Sequence, residues 1–137
     1  RGRNGQTKQV FEAHSPGTWR MPLVVLIDGD SASASEIVAG AIRDHRRGTL
    51  VGRKTYGKWS VQEVMHMRGD AGLRLTIAKF YSPSGRNHAK VGVSPDIEVP
   101  KPDQTRTYYR SPTDLNIDGD SDLQAGLRVL RRQMAQR

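Results

Sequence analysis

No cysteine occurs in the sequence. Disulfides and thiolate metal sites are excluded, and the redox compartment is left open. Apolar residues are scarce too, at 35% of the chain with a mean hydropathy of −0.66. A modest core with much exposed loop is expected. No apolar run is long enough to span a bilayer, and no signal-peptide pattern is present. The four histidines (His14, His45, His66 and His88) lie far apart without metal-ligand spacing. The Gly-x-Ser-x-Gly elbow that accompanies many Ser-His-Asp triads is also missing. The expectation is therefore no metal and no cofactor.

The 137 residues amount to one domain by length. Twenty-two basic against 14 acidic residues give a net charge of +8, which raises an anionic partner as a question. The charge is dispersed, however, with clusters only at 43–47 and in the tail 128–137. No nucleic-acid-binding motif accompanies it, so it reads as a solvated surface and no nucleic-acid partner is expected.

The apolar run Leu23-Val24-Val25-Leu26-Ile27 stops at Asp28-Gly29, which predicts a buried strand ending in a turn. Ile37, Val38, Ala41, Ile42 and His45 then mark a helix, with Gly48 in the position that ends one. Thr49–Gly52 reads as a second strand, parallel to the first through the helical crossover. Strands are also expected over Val61–Met67 and Leu73–Tyr81, joined at Arg68-Gly69-Asp70, and a turn at Pro83-Ser84-Gly85. The stretch 91–100 is extended. Upstream, Lys8–Ala13 could pair in a hairpin. Leu123, Leu127, Leu130 and Met134 line one side of a C-terminal helix.

Between the first strand and its helix lie three serines, Ser31, Ser33 and Ser35. Such an elbow can present a hydroxyl beside unpaired backbone amides. Ser33-Ala34-Ser35-Glu36 also reads as an ordinary capping box, with Ser33 as N-cap and Glu36 at N3. Lys58 follows on a glycine turn. Serine and lysine are the minimum set for nucleophilic catalysis without histidine. A solvated lysine is protonated at neutral pH, so such a base has to be desolvated or set near another positive charge. Tyr56 and Trp59 flank it and could exclude water.

Four blocks in order resemble the C-terminal processing peptidases, also called tail-specific proteases. They are Ser31–Ile37, Gly57-Lys58-x-x-x-Gln62, Leu75–Arg86 and Gly92-Val93-x-Pro95-Asp96-Ile97, so the likeness covers about Pro22 to Val99. The resemblance implies an α/β fold, a Clp protease/crotonase-like catalytic core with a mixed sheet and a helix after the nucleophile elbow. Among the three serines it selects Ser33, 25 positions before Lys58. It implies Ser33 as nucleophile, Lys58 as general base, Gln62 as the residue orienting the lysine, and the Ala34 amide as an oxyanion donor. The activity implied is serine endopeptidase cleavage of protein substrates near their C-terminus through an acyl-enzyme. The alternative is a catalytically inactive peptide-binding or assembly module of the same fold.

Two departures from the family pattern stand out. Trp59 follows the lysine where glycine is usual, and is expected either to crowd the scissile-bond site or to form a substrate-binding pocket. Asn87-His88-Ala89-Lys90 replaces a stretch that tends to hold serine and isoleucine.

Residues 1–100 are expected to be part of the catalytic core, 101–120 a linker or extended arm, and 121–137 the amphipathic helix. Asp114–Asp122 matches the first half of a calcium loop. Its twelfth position is Ala125, however, and the alternative is an acidic turn with Asp120 or Ser121 capping the helix. Partners implied by the resemblance are the C-terminal tails of proteins, bound by strand addition. An upstream peptide-binding PDZ domain and the first half of the core are expected in the parent protein, and a homo-oligomer stays open. The setting implied is a bacterial cell envelope or periplasm, or secretion.

Overall fold

The computed structural model describes residues 1–2, 12, 19–69, 71–101 and 119–136. In chain order the elements are β1 (Val24–Ile27), α1 (Ala34–Asp44), β2 (Thr49–Gly52), β3 (Ser60–His66), β4 (Gly72–Lys79), β5 (Ile97–Glu98) and α2 (Ser121–Ala135). The strand expected over Lys8–Ala13, most of the linker over 101–120 and most of the acidic loop lie outside the described residues.

β1, β2 and β5 form one sheet with β2 in the centre. β1 and β2 run parallel, from Val24 opposite Thr49 to Ile27 opposite Gly52, and α1 is the crossover that a parallel pair needs. β5 also joins β2 in parallel. Asp96 lengthens that ladder with its side chain, accepting the Leu50 N–H at 2.8 Å while its own N–H donates to the Leu50 carbonyl.

Alternation along the strands places one core on each sheet face. Ile27, Ala39, Leu50, Trp59 and Val93 gather on the α1 side, with Val25 and Ile42 against them. Val51, Val99 and Ala125 gather on the α2 side, with Val24 and Val129. The result is three layers, helix on sheet on helix. Arg53 clamps the second layer, holding Asp122 with both guanidinium nitrogens at 2.7 and 2.5 Å.

β3 and β4 stand apart as an antiparallel ribbon, with a bulge between Val61 and Gln62. Among the described residues, the parallel pairings lie in one sheet and the antiparallel ones in the other. The short reversal closed by Met67 N–H to the Ala71 carbonyl lets β3 pair with its sequence neighbour.

α1 ends earlier than Gly48 suggests. Arg46 takes the left-handed position at φ 51, and the amides of Arg46 and Arg47 donate back to the carbonyls of Arg43 and Ile42. That is a Schellman ending built on arginine. Gly48 serves a different purpose, since a Cβ there would come within 2.8 Å of the Leu23 carbonyl oxygen. At α2 the acidic residue does cap the helix: Asp120 Oδ1 accepts the amides of Asp122 and Leu123, both at 2.9 Å.

Candidate active site

β1 delivers the chain to the elbow. Asp28 Oδ1 accepts the N–H of Asp30 at 3.1 Å and both the N–H and the hydroxyl of Ser31 at 3.0 Å. The Ser31 hydroxyl also accepts the Asp28 amide at 3.2 Å. Ser31 is therefore spent on the turn. Ser33 is different. It sits at φ 57, ψ −113, a left-handed conformation that costs a residue with a Cβ on the order of 1–3 kcal/mol. Ser35 lies exposed on the first turn of α1. Of the three serines, only Ser33 occupies a strained backbone position.

Ser33 is the N-cap of α1, with Glu36 three residues on. The Glu36 carboxylate reaches back to the Ser33 N–H at 3.0 Å. The Glu36 N–H donates to the Ser33 carbonyl at 3.0 Å, and the two residues stand in the reciprocal capping-box arrangement. Ala34 is the first helical residue, so its N–H has no partner within the helix.

Glu36 does more than cap. Its side chain is fully buried, at 0% exposure. Oε1 accepts the Thr55 hydroxyl at 2.6 Å and the Gly57 amide at 2.7 Å. Oε2 accepts the Lys58 amide at 2.7 Å beside that of Ser33. Burial pushes this carboxyl up, and the bonds from Thr55, Gly57, Ser33 and Lys58 more than offset it, so its pKa lies below the ordinary value. All four lone-pair directions of the carboxylate are thus occupied by donors.

The lysine turn is fixed from its other side as well. Thr55 Oγ1 accepts the Val93 amide at 2.7 Å, and the Tyr56 amide donates to the Ser31 carbonyl at 3.0 Å. Gly57 has φ 94, and a Cβ there would lie 3.0 Å from the backbone nitrogens of both Lys90 and Gly92. Glycine is the residue that fits. Lys58 itself is exposed. Among the described residues no hydrogen bond joins its amine to the Ser33 hydroxyl.

Trp59, expected at a substrate-binding surface, is placed in the core at 1% exposure. Its ring lies over Gly40, where a Cβ would approach Cη2 to 3.0 Å, and against His88 with ring centroids 4.8 Å apart. Its Nε1–H is buried without a partner among the described residues. Gln62 is on exposed β3 and reaches Thr76 Oγ1 across the ribbon at 3.5 Å. The structure therefore brings together the backbones of Ser33, Ala34 and Lys58, and sends Trp59 and Gln62 elsewhere. Glu36, read from the sequence as a capping residue alone, is the group that joins them.

Among the described residues no group of three or more histidines and acidic residues could hold a metal ion. A cavity of about 790 Å³ opens at the C-terminal end of α1, lined by Arg43, His45, Arg46, Arg47 and Gln133 among others, and contains none of these site residues.

The profile of Peptidase family S41 matches residues 1–99, and the chain belongs to that family. It is 41% identical over 131 residues to a carboxy-terminal-processing protease of Bartonella bacilliformis, covering 93% of this chain and 29% of the relative. It is 38% identical over 120 residues to a carboxyl-terminal-processing protease of Synechocystis, covering 88% and 28%. A chloroplastic C-terminal processing peptidase of Tetradesmus obliquus is 42% identical over 57% of this chain. The solved photosystem II D1 C-terminal processing protease matches with a TM-score of 0.54 and 42% identity, over 57% of this chain and 20% of that one. The tricorn protease, at 20% identity and a TM-score of 0.53, shares the fold. The chain spans less than a third of the length of the curated relatives it matches.

Proposed function

We propose that this chain carries the Ser-Lys dyad of a serine endopeptidase that cleaves protein substrates near their C-terminus. The observation carrying the reading is Ser33 strained at φ 57 on a strand-to-helix elbow, with the Lys58 turn bonded to the same carboxylate. Strain held at one residue by a surrounding network is characteristic of reactive positions. In this reading Lys58 Nζ takes the proton from Ser33 Oγ as the oxygen attacks the scissile carbonyl. The Ala34 amide, without an intrahelical partner, donates to the oxyanion. Lys58 returns the proton to the leaving amine, and water releases the acyl group from Ser33. Gln62 would have to turn from Thr76 toward Lys58 to orient it.

The names of the relatives support tail cleavage; an extracytoplasmic setting, such as a bacterial envelope or periplasm, is part of the proposal. Strand addition of the substrate, an upstream peptide-binding domain and self-association belong to the same proposal. The test is turnover of a reporter protein bearing an apolar C-terminal tail by the intact protein. Ser33→Ala and Lys58→Ala are each expected to lower it by roughly 10³-fold or more. Undiminished turnover in either variant would overturn the dyad.

A further inference from the structure

We propose that Glu36 is a positioning residue that sets the register of Ser33 against Lys58, acting through their backbones; the inference rests on the dyad reading above. One oxygen, Oε2, receives the amides of both residues, at 3.0 and 2.7 Å. The two backbone nitrogens can therefore lie no farther apart than those two bonds laid end to end. The second oxygen fixes the remaining freedom of the lysine turn through Thr55 Oγ1 and the Gly57 amide. Thr55 in turn is tied to Val93, whose amide it accepts at 2.7 Å. A chain of short bonds thus runs from elbow to carboxylate to lysine turn to the segment at Val93.

The arrangement goes beyond what capping requires. A capping glutamate on a surface helix serves its own first turn and keeps its oxygens in water. Here the carboxylate is out of water and three of its four donors come from another segment. Burying a carboxylate is costly unless every lone pair is met. That condition holds only while elbow and turn keep their relative position. The same requirement holds Ser33 in its strained backbone conformation, because its amide is one of the four donors. Small displacements of reacting groups cost large factors in rate, so a device of this kind acts on turnover rather than on substrate affinity.

The test compares Glu36→Gln, Glu36→Asp and Thr55→Val with Ser33→Ala and Lys58→Ala in the intact protein. It uses the same tail-bearing reporter and measures kcat, KM and the pH dependence of kcat. Glu36→Gln places an NH₂ among backbone donors. It is expected to lower kcat by about 100-fold or more with KM changed less than about 3-fold. Glu36→Asp keeps the charge and is expected to recover at least about 10-fold of the loss, with a shifted pH profile. Thr55→Val, losing one of four donors, is expected to lower kcat by about 5-fold to 20-fold.

If Glu36→Gln fails to fold, the decision passes to the other two variants. Wild-type kcat and pH profile in folded Glu36→Asp and Thr55→Val would overturn the proposal, as would a fully active Glu36→Gln. Undiminished turnover in Ser33→Ala or Lys58→Ala would remove the dyad and this inference together. An active Glu36→Gln beside an inactive Ser33→Ala would remove this inference alone.

Discussion

The indole of Trp59 rests directly on the backbone of Gly40, which leaves a Cβ at that position only 3.0 Å from Cη2 and 3.4 Å from Cζ2. Gly40 lies in the middle of α1, where glycine is about 1 kcal/mol less favourable than alanine, so the missing side chain is a packing requirement. Gly40→Ala is expected to change stability by less than about 1 kcal/mol, propensity offsetting crowding. Gly40→Val should destabilise by about 2 kcal/mol. In a Trp59→Phe background, which removes the crowding atoms, the valine should cost measurably less. Denaturant unfolding of the native protein, the two Gly40 variants, Trp59→Phe and the Trp59→Phe/Gly40→Val double variant checks this; strictly additive effects of Gly40→Val and Trp59→Phe would contradict the contact.

Ser33 offers a second test, separating strain from chemistry. Ser33→Ala keeps the Cβ and its left-handed penalty, whereas Ser33→Gly releases it. Both should lack turnover, and the glycine variant should be the more stable by about 1 kcal/mol. A glycine variant less stable than the alanine variant would mean that the φ of 57 carries no strain.

Asp44, at the end of α1, gives a pH dependence with a defined sign. Burial raises its pKa, but hydrogen bonds from Ser82 and Ser84 and the charge of Arg86 more than offset that, holding it at about 2 against an ordinary 3.8. The Ser84 amide donates to Oδ2 at 2.9 Å. A carboxylate depressed on folding adds stability that is complete above pH 3.8 and lost as the pH falls through about 2. Urea midpoints measured from pH 5 to pH 2 should therefore fall more steeply for the native sequence than for Asp44→Asn. Equal slopes would refute the assignment.

The bidentate pair between Arg53 and Asp122 joins the end of β2 to the first turn of α2, with side-chain exposures of 20% and 21%. It is sheltered enough to exceed an ordinary surface pair. Asp122→Asn is expected to cost about 1–2 kcal/mol. A double-mutant cycle with Arg53→Gln should return a coupling energy near 1 kcal/mol. A coupling near zero would reduce the contact to a solvated surface pair.

The parallel strand-helix-strand unit was legible from the sequence, because an apolar run, a helical stripe and a second apolar run leave few alternatives. The helix end was not. Gly48 was the obvious terminator, yet it is needed beside the Leu23 carbonyl, and Arg46 took the left-handed position instead. Half of the role of Glu36 was visible in the capping-box spacing. The other half depends on donors 19 to 22 positions later, which no local pattern encodes. Trp59 beside the lysine could have faced either way; the gap left by Gly40, on a different element, is what draws it inward. The alternation of Leu73 and Leu75 with Arg74 marks the strand. Nothing in the period of 2 revealed that both leucines would remain nearly half exposed, at 45% and 47%.

That ribbon divides the molecule by timescale. β2 is paired on both edges and covered by helices on both faces, while β3 and β4 pair with each other and, among the described residues, gain only the bridge from Gly2 to Ala78 near the end of β4. An isolated two-stranded ribbon is barely stable in water, so its amides should exchange with deuterium through local opening. Those of Leu50 and Val51 should wait for global unfolding. The lysine turn lies on the seam between these two regimes, between β2 and the start of β3. Its slow side is the half that the buried carboxylate holds.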